Sequence, residues 1–249
     1  MIEAVPSHSN RLNHTNRARV SFTVALLVFI GFVVIRPVAS QTVAAPSRDA
    51  QQWNEVQLSI PLRKAVDGKT DKVTLFVSGN FRLRQNMSRP ADERIGFGID
   101  FKVSKHWTLG AGVLFRAAQP FENRKETEGR PRFDAVFETK AGSFTFKNRN
   151  RLEFRARSGA PNSFRYRNRI QLETPLLING KEVLKPFIAN EVFYDFRGKN
   201  LMRNDSSIGV ARRLGSHTQV ELFYMYEIND TREFSRINIL GTSLKFRLK

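Results

Sequence analysis

The sequence of 249 residues contains no cysteine, which excludes disulfide bridges, thiolate metal sites and cysteine nucleophiles. It also lacks long apolar runs outside residues 23–35, so no later segment is predicted to cross a membrane as a helix. The mean hydropathy of -0.39 resembles that of a soluble protein. Strands of a membrane β-barrel alternate apolar and polar residues, however, so a low mean hydropathy does not exclude such a barrel.

Motifs of catalysis and metal binding are missing as well. There is no HExxH sequence, no glycine-rich phosphate loop and no calcium-binding loop. His106 and His217 are the histidines that follow the N-terminal region, and both fall in short predicted turns. Paired carboxylates such as Glu221 and Glu227 are spaced by the strand period, which does not fix their separation. We therefore predict that the protein is not an enzyme and that it has no metal site and no cofactor.

The N-terminal region has the pattern of an export signal. Residues 23–35 are uninterruptedly apolar, and the preceding residues carry several arginines and a single acid, Glu3. Small residues at Val38-Ala39-Ser40 predict cleavage after Ser40. Residues 1–40 are thus predicted to be a cleaved signal peptide, with an uncleaved signal anchor as the alternative.

The strongly basic composition limits the partners. The net charge is +18 and the isoelectric point is about 10.9, values that in other settings indicate nucleic-acid binding. An exported protein meets little nucleic acid but does meet lipopolysaccharide phosphates and acidic solutes. We predict outer-membrane lipid and lipopolysaccharide as partners, small anionic solutes as candidate ligands, and no nucleic acid.

From Gln52 onward, segments of about ten residues alternate between apolar and polar positions and are separated by turn-forming residues. In the second segment, for example, Val73, Leu75 and Val77 share one face while Thr74 and Phe76 share the other. The pattern predicts eleven strands, near residues 53–62, 73–84, 95–103, 107–117, 132–140, 143–157, 164–173, 186–196, 203–213, 219–228 and 237–248.

The predicted fold class is all-β: an antiparallel up-and-down transmembrane β-barrel of the bacterial outer membrane, formed by residues 52–249. Bacterial barrels of this kind have even strand numbers, so we expect twelve strands, with ten as the alternative, and residues 41–51 as a lead-in or first strand. Such a barrel also needs the outer-membrane barrel assembly machinery as a partner. A soluble sandwich or a periplasmic barrel would show the same alternation and is the competing fold.

The predicted connections differ in length. Short turns occur at residues 104–106 and 140–142, and longer polar segments occur at residues 85–94 and 119–131. Bacterial barrels have short periplasmic turns and longer external loops. The two longer segments are therefore predicted to be external loops.

Basic residues concentrate on two neighbouring strands, always on the polar phase. Residues of equal phase in a hairpin face the same side, so these side chains should converge inside the barrel. Glu191 and Arg203 continue the polar lining on later strands. The candidate lumen or anion-binding residues are Lys147, Arg149, Arg151, Glu153, Arg155, Arg165, Arg167, Arg169, Glu191 and Arg203.

Two interpretations of this lining remain open. In one, the arginines pair with acids such as Glu153 and Glu191 and fill a narrow lumen as a structural network. In the other, surplus arginine attracts and guides acidic solutes, as charged rings do in anion pores. The first predicts a non-conducting structural or envelope-interaction barrel whose function lies in external loops such as residues 119–131. The second predicts a small porin-like channel or a binding cleft for anionic solutes.

The chain also resembles a family of bacterial outer-membrane barrels known as domain of unknown function 2490. The resemblance rests on the Arg-x-Arg-x-Glu-x-Arg strand that starts at Arg149, on the arginine-rich strand from Arg165 to Arg169, and on an Asn-Glu-x-Phe element at Asn190. It covers roughly residues 52–248 and implies the fold and an outer-membrane location. It implies no activity.

Overall fold

The computed structural model describes residues 48–64, 71–121, 124–229 and 236–248. The predicted signal peptide, residues 1–40, and residues 41–47 lie outside the described residues. Among the described residues, no helix is long and apolar enough to cross a membrane. The strands are β1 (Arg48–Lys64), β2 (Asp71–Arg84), β3 (Arg89–Lys102), β4 (Trp107–Phe121), β5 (Arg124–Ala141), β6 (Phe144–Arg157), β7 (Ser163–Glu173), β8 (Leu176–Ile178), β9 (Lys181–Asp195), β10 (Asn200–Leu214), β11 (Thr218–Asn229) and β12 (Arg236–Arg247).

Eleven of these strands close into a barrel. Each strand pairs antiparallel with the next along the chain, except that β7 pairs with β9. The short β8 lies outside the barrel and pairs with the start of β9 through a turn at Asn179 and Gly180, both at positive φ. The barrel closes where β1 and β12 pair in parallel, from Arg48 opposite Arg236 to Ser59 opposite Arg247.

The eleven segments predicted from alternation are the eleven strands of the barrel. The expected total of twelve roughly fits, because β8 is the twelfth strand in the described part of the chain. The closed barrel nevertheless has an odd number of strands, contrary to the even-number expectation, because a parallel seam lets β1 and β12 run in the same direction. Residues 48–51 form no separate strand and continue directly into β1.

Because β1 and β12 run in the same direction at the seam, the start of β1 and the end of β12 lie at opposite ends of the barrel. We name the C-terminal end after Leu248; it also carries the connections at residues 103–106, 142–143 and 215–217. The N-terminal end carries Arg48 and the connections at residues 85–88, 158–162 and 196–199. At the C-terminal end, the backbone N–H of Leu248 donates to the carbonyl oxygen of Ser59 at 2.9 Å, which extends the seam beyond β12.

The two predicted external loops are mostly strand. Of residues 85–94, only 85–88 form a turn, and the remainder begins β3. Of residues 119–131, positions 119–121 end β4 and 124–131 begin β5. The polarity that suggested loops has another cause, since Asp92, Glu128 and Arg130 are buried inside the barrel. The prediction of long external loops in these two places is wrong.

Alternation places large apolar side chains on the outer face and polar side chains inside, where close packing depends on glycine. Phe223 on β11 lies over Gly241 on the neighbouring β12. A Cβ atom at Gly241 would lie 2.0 Å from Cζ of Phe223. Only a residue without a side chain allows the ring to lie against the strand, and Ile237, Ile239 and Trp53 complete this small interior cluster.

Candidate functional site

The predicted lumen residues come together on the inner wall of β6, β7, β9 and β10. Arg151 lies directly opposite Arg167, and Arg149 lies opposite Arg169, so the two arginine-rich strands form one basic surface. The same phase brings Glu191 on β9 opposite Arg169. The set with this inward phase consists of Lys147, Arg149, Arg151, Glu153, Arg155, Arg165, Arg167, Arg169, Glu191 and Arg203.

Glu153 is the first centre of this network. Its carboxylate accepts from Arg165 Nη2 at 2.5 Å and from Arg167 Nη1 at 2.8 Å. Arg151 Nη1 lies 3.8 Å from Oε1 of the same carboxylate. The Glu153 side chain is only 3% exposed, so its charge is held by guanidinium groups and not by water.

Glu191 is the second centre. Arg149 Nη2 donates to its Oε1 at 2.9 Å, and Arg167 Nη2 lies 2.9 Å from the same atom. Arg169 Nη1 lies 3.9 Å from the other carboxylate oxygen. Three guanidinium groups therefore surround one carboxylate, which leaves an excess of positive charge on this side of the lumen.

A third group of ion pairs, toward the N-terminal end, was not predicted from the sequence. Glu128 accepts from Arg155 Nε at 2.5 Å and from Arg130 Nη2 at 2.7 Å. Asp92 contacts Arg94 and Arg116, and Asp134 accepts from Arg151 Nε at 2.6 Å. The alternation of apolar and polar residues along β3 and β5 could have predicted these inward side chains. Asp92, Arg94, Glu128 and Arg130, however, lie in segments that were interpreted as loops.

Aromatic rings in the same region lie against the guanidinium groups of arginines. The Arg82 guanidinium lies 3.3 Å from the centre of the Trp53 ring. Arg167 and Arg203 lie 4.6 Å and 4.8 Å from the centre of the Phe193 ring, and Arg203 also contacts Asp205 at 2.6 Å. Ion pairs and cation–π contacts thus connect the side chains of this part of the lumen.

A cavity of about 500 Å³ lies in the lumen and is lined both by residues of this region, such as Trp53 and Arg82, and by residues toward the C-terminal end, such as Lys147 and Lys245. Of its lining residues within the described chain, fourteen are Lys or Arg and five are Asp or Glu. The side chains of Arg151 and Arg165 are 9% and 8% exposed, whereas those of Lys147 and Lys245 are 34% and 38% exposed. Exposure therefore increases toward the C-terminal end, where the cavity opens.

Arg149 and Arg169 lie on the wall of the cavity and are the candidate residues best placed for binding. Their side chains are 28% and 24% exposed, so both contact Glu191 and still reach the open space. Arg149 Nε is buried without a hydrogen-bond partner in the described part of the chain. A small anion in the cavity could accept hydrogen bonds from both arginines.

Other chemical groups are sparse around the lumen. Within the described residues, no group of three or more His, Asp or Glu side chains is arranged to hold a metal ion. His106 Nδ1 lies 2.9 Å from the carbonyl oxygen of Glu138, and His217 Nδ1 lies 2.5 Å from Ser216 Oγ. Both histidines are in connections at the C-terminal end, outside the arginine network.

Comparisons with known proteins identify one family and show similarity to solved structures at low identity. The model of a family described as "Protein of unknown function (DUF2490)" matches residues 50–238. No curated protein sequence matches the chain. The solved structures that are similar include the beta domain of the Bordetella autotransporter BrkA, with 9% identity, a TM-score of 0.47, and coverage of 70% of this chain and 82% of that one. LpxR from Salmonella typhimurium is similar at 9% identity and a TM-score of 0.46, covering 72% and 85% of the two chains.

Proposed function

The chain belongs to the family of unknown function DUF2490, and we propose that it is an outer-membrane β-barrel with a plugged lumen and a basic pocket that binds small anionic solutes. The observation that carries the proposal is the cluster of Arg149, Arg167 and Arg169 around the single carboxylate of Glu191 on the wall of the cavity.

The outer face supports a position in a lipid bilayer. Large apolar side chains are exposed on it, for example Ile95 at 57%, Phe133 at 66% and Ile208 at 58%. A soluble protein seldom exposes a continuous apolar surface of this extent, because contact with water costs roughly 25 cal/mol per Å². In a bilayer the same side chains face lipid acyl chains. Outer-membrane lipid, lipopolysaccharide and the barrel assembly machinery remain the expected partners.

The ion-paired centres support a plugged lumen and argue against an open porin-like channel. Glu128, Glu153 and the arginines paired with them are buried inside the barrel, where they narrow the lumen toward the N-terminal end. We propose that the C-terminal end, which includes the short connections at residues 142–143 and 215–217, lies in the periplasm. The pocket would then receive solutes from the periplasm.

The proposal includes no catalytic step. His106 contacts Glu138 on β5 and His217 contacts Ser216, both at the C-terminal end and outside the arginine pocket, so neither is placed to act on a solute bound there. The expected role is binding, with hydrogen bonds and positive charge supplied by guanidinium groups.

Calorimetric titration of the purified full chain in detergent with inorganic phosphate tests the pocket. We expect saturable binding that weakens as salt concentration rises, because exposed charges are screened. Replacing Arg149→Gln together with Arg169→Gln should weaken binding by about tenfold or more, the effect of losing at least about 1.4 kcal/mol of charge-assisted hydrogen bonding.

The matched control is Arg212→Gln, which removes an exposed arginine on β10 that does not line the cavity. This variant should bind phosphate as the unmodified chain does. No saturable binding by the unmodified chain, or equal weakening by the control, would contradict a specific pocket.

A further inference from the structure

A cluster of polar side chains interrupts the apolar outer face on β6, β7, β9 and β10. Asn150 and Asn168 lie directly opposite each other on β6 and β7, and Asn190 lies opposite Ser206 on β9 and β10. All four belong to the outward phase and are half-buried. We call the full set the amide island: Asn148, Asn150, Asn168, Asn190, Asn204 and Ser206.

Apolar side chains bound the amide island toward both ends of the barrel. Leu152 and Phe164 lie on the outward phase toward the N-terminal end, and both are exposed. Ile170 and Ile208 lie on the outward phase toward the C-terminal end, exposed at 46% and 58%. The island therefore lies within the apolar belt and not at its edge.

A smaller outward polar group lies at the seam, where Asn54 accepts hydrogen bonds from Gln52 and Thr242, but it does not continue onto β2 to β4. The outward positions of β2 and β3 at similar depth include Val77, Phe97 and Ile99, and those of β4 include Leu109 and Val113. Amides inside a hydrocarbon layer are costly unless they are hydrogen-bonded, so the concentration of five asparagines and one serine on β6, β7, β9 and β10 indicates a function for that side.

The amides bond to one another, but incompletely. Asn150 Nδ2 donates to Asn148 Oδ1 at 2.7 Å, and Asn190 Nδ2 donates to Asn204 Oδ1 at 2.9 Å. In the described part of the chain, the Nδ2 groups of Asn148, Asn150 and Asn204 each make one hydrogen bond and have a second N–H left over. The island is stable enough to form alone and can still donate to a partner.

The chemistry of the island selects a second copy of this chain over other occupants. Acyl chains offer no acceptors for the remaining N–H groups. The island carries no charge, so nothing in it favours an anionic headgroup or an acidic protein. Each asparagine is both donor and acceptor, so two islands related by a two-fold axis can satisfy one another.

We infer that the amide island is a dimer interface at which two copies of the barrel associate within the bilayer. The inference rests on the proposed bilayer position of the barrel. Side-chain amides that hydrogen-bond across neighbouring segments stabilise association in membranes, where burial of apolar surface provides no driving force. The apolar face of β2 to β4 remains in contact with lipid in this dimer.

Cysteine cross-linking in isolated outer membranes tests the interface, and the absence of native cysteine makes every disulfide attributable to the introduced residue. The island variants are Asn150→Cys, Asn168→Cys, Asn190→Cys and Ser206→Cys, each introduced alone. The matched controls are Val77→Cys and Ile99→Cys on the opposite outward face. We expect at least one island variant to form a disulfide-linked dimer at about ten times the control yield or more.

Recovery of each variant in the outer-membrane fraction, with heat-modifiable gel migration, checks the bilayer position first. A folded protein in that fraction whose island variants cross-link no better than controls would overturn the interface and leave the proposed function intact. A disulfide-linked band of another mass would also overturn it, because the partner would be a different protein.

A second measurement does not depend on cysteine. Native mass spectrometry in mild detergent should show a dimer of the unmodified chain, and Asn150→Leu, Asn168→Leu and Asn190→Leu combined should convert it to monomer with unchanged heat-modifiable migration. A dimer that persists in this triple variant contradicts the assignment.

Discussion

Arg167 lies directly opposite Arg151 across the β6–β7 hairpin, and both guanidinium groups point to the same carboxylate, Glu153. Two like charges in neighbouring positions repel each other unless a counter-charge lies between them. Arg167 also contacts Glu191, so it links the two acidic centres of the lumen. The interior therefore contains a connected network in which Glu153 and Glu191 each contact several arginines.

Glu153→Gln should strongly destabilise the barrel. The change leaves Arg151, Arg165 and Arg167 without their shared counter-charge, and removal of one partner from a buried ion pair costs about 3 to 5 kcal/mol of unfolding free energy. Urea unfolding of the protein in lipid vesicles measures the loss.

Glu138→Gln is the control for Glu153→Gln. Its side chain is 47% exposed and lies 3.5 Å from Lys147, and exposed ion pairs contribute about 0 to 1 kcal/mol. Equal losses of unfolding free energy in the two variants would contradict the assigned importance of the buried network.

The plugged lumen predicts that the unmodified barrel does not conduct ions. In planar bilayers it should give no stepwise currents, because buried ion-paired side chains narrow the lumen toward the N-terminal end. Arg151→Ala combined with Arg167→Ala removes two of these side chains and should produce measurable channels.

The control for conductance is Arg212→Ala combined with Arg236→Ala, at two exposed outer positions. This variant should remain silent. Regular channels formed by the unmodified barrel would contradict the plug, and they would show anion preference if the surplus arginine lines the path.

The fluorescence of the two tryptophans should distinguish the inner face of the barrel wall from its outer face. Trp53 is 8% exposed and stacks with Arg82 inside the barrel, whereas Trp107 is 41% exposed on the outer face. The chain has two tryptophans in all, so Trp107→Phe and Trp53→Phe each leave one reporter. Brominated lipids should quench Trp107 strongly and Trp53 weakly.

Vesicles of non-brominated lipid give the reference intensity for each tryptophan variant. Strong quenching of both tryptophans by brominated lipid would be inconsistent with the assigned inner face, and quenching of neither would be inconsistent with the bilayer position.

The parallel seam predicts a specific cross-link. Asn54 on β1 pairs with Thr242 on β12, and Thr242 Oγ1 donates to Asn54 Oδ1 at 2.7 Å. Asn54→Cys combined with Thr242→Cys should therefore form an intramolecular disulfide, seen as altered gel migration that reductant reverses. Asn54→Cys combined with Phe246→Cys, four residues farther along β12, should not. The reverse preference would rule out this register.

Much of the site follows from the strand period. Residues two apart on a strand face the same side, so Arg149, Arg151 and Arg155 had to share a face with one another. Because hairpin neighbours keep that relation, Arg165, Arg167 and Arg169 could be predicted on the same inner wall. The acids that hold them were only partly predictable, since Glu153 and Glu191 lie in clear strands but Glu128 lies beside a connection.

The errors have one physical origin. A polar residue on an inward strand position and a polar residue in a loop have the same composition, and only the closed wall decides which environment is present. Residues 89–94 and 124–131 extend strands because their charges find partners in the lumen, as Asp92 does with Arg94 and Arg116. That pairing depends on how neighbouring strands align, since Arg116 lies on β4 and Asp92 on β3.

The sequence by itself determined the eleven alternating segments, the apolar outer face and the arginine-rich inner wall, because all three depend on a period of two residues. The tertiary structure decided the parallel seam between β1 and β12, the placement of β8 outside the barrel and the plug of shared ion pairs. These features depend on which distant strands meet and on how many guanidinium groups one carboxylate can hold. Local periodicity carries no information about either.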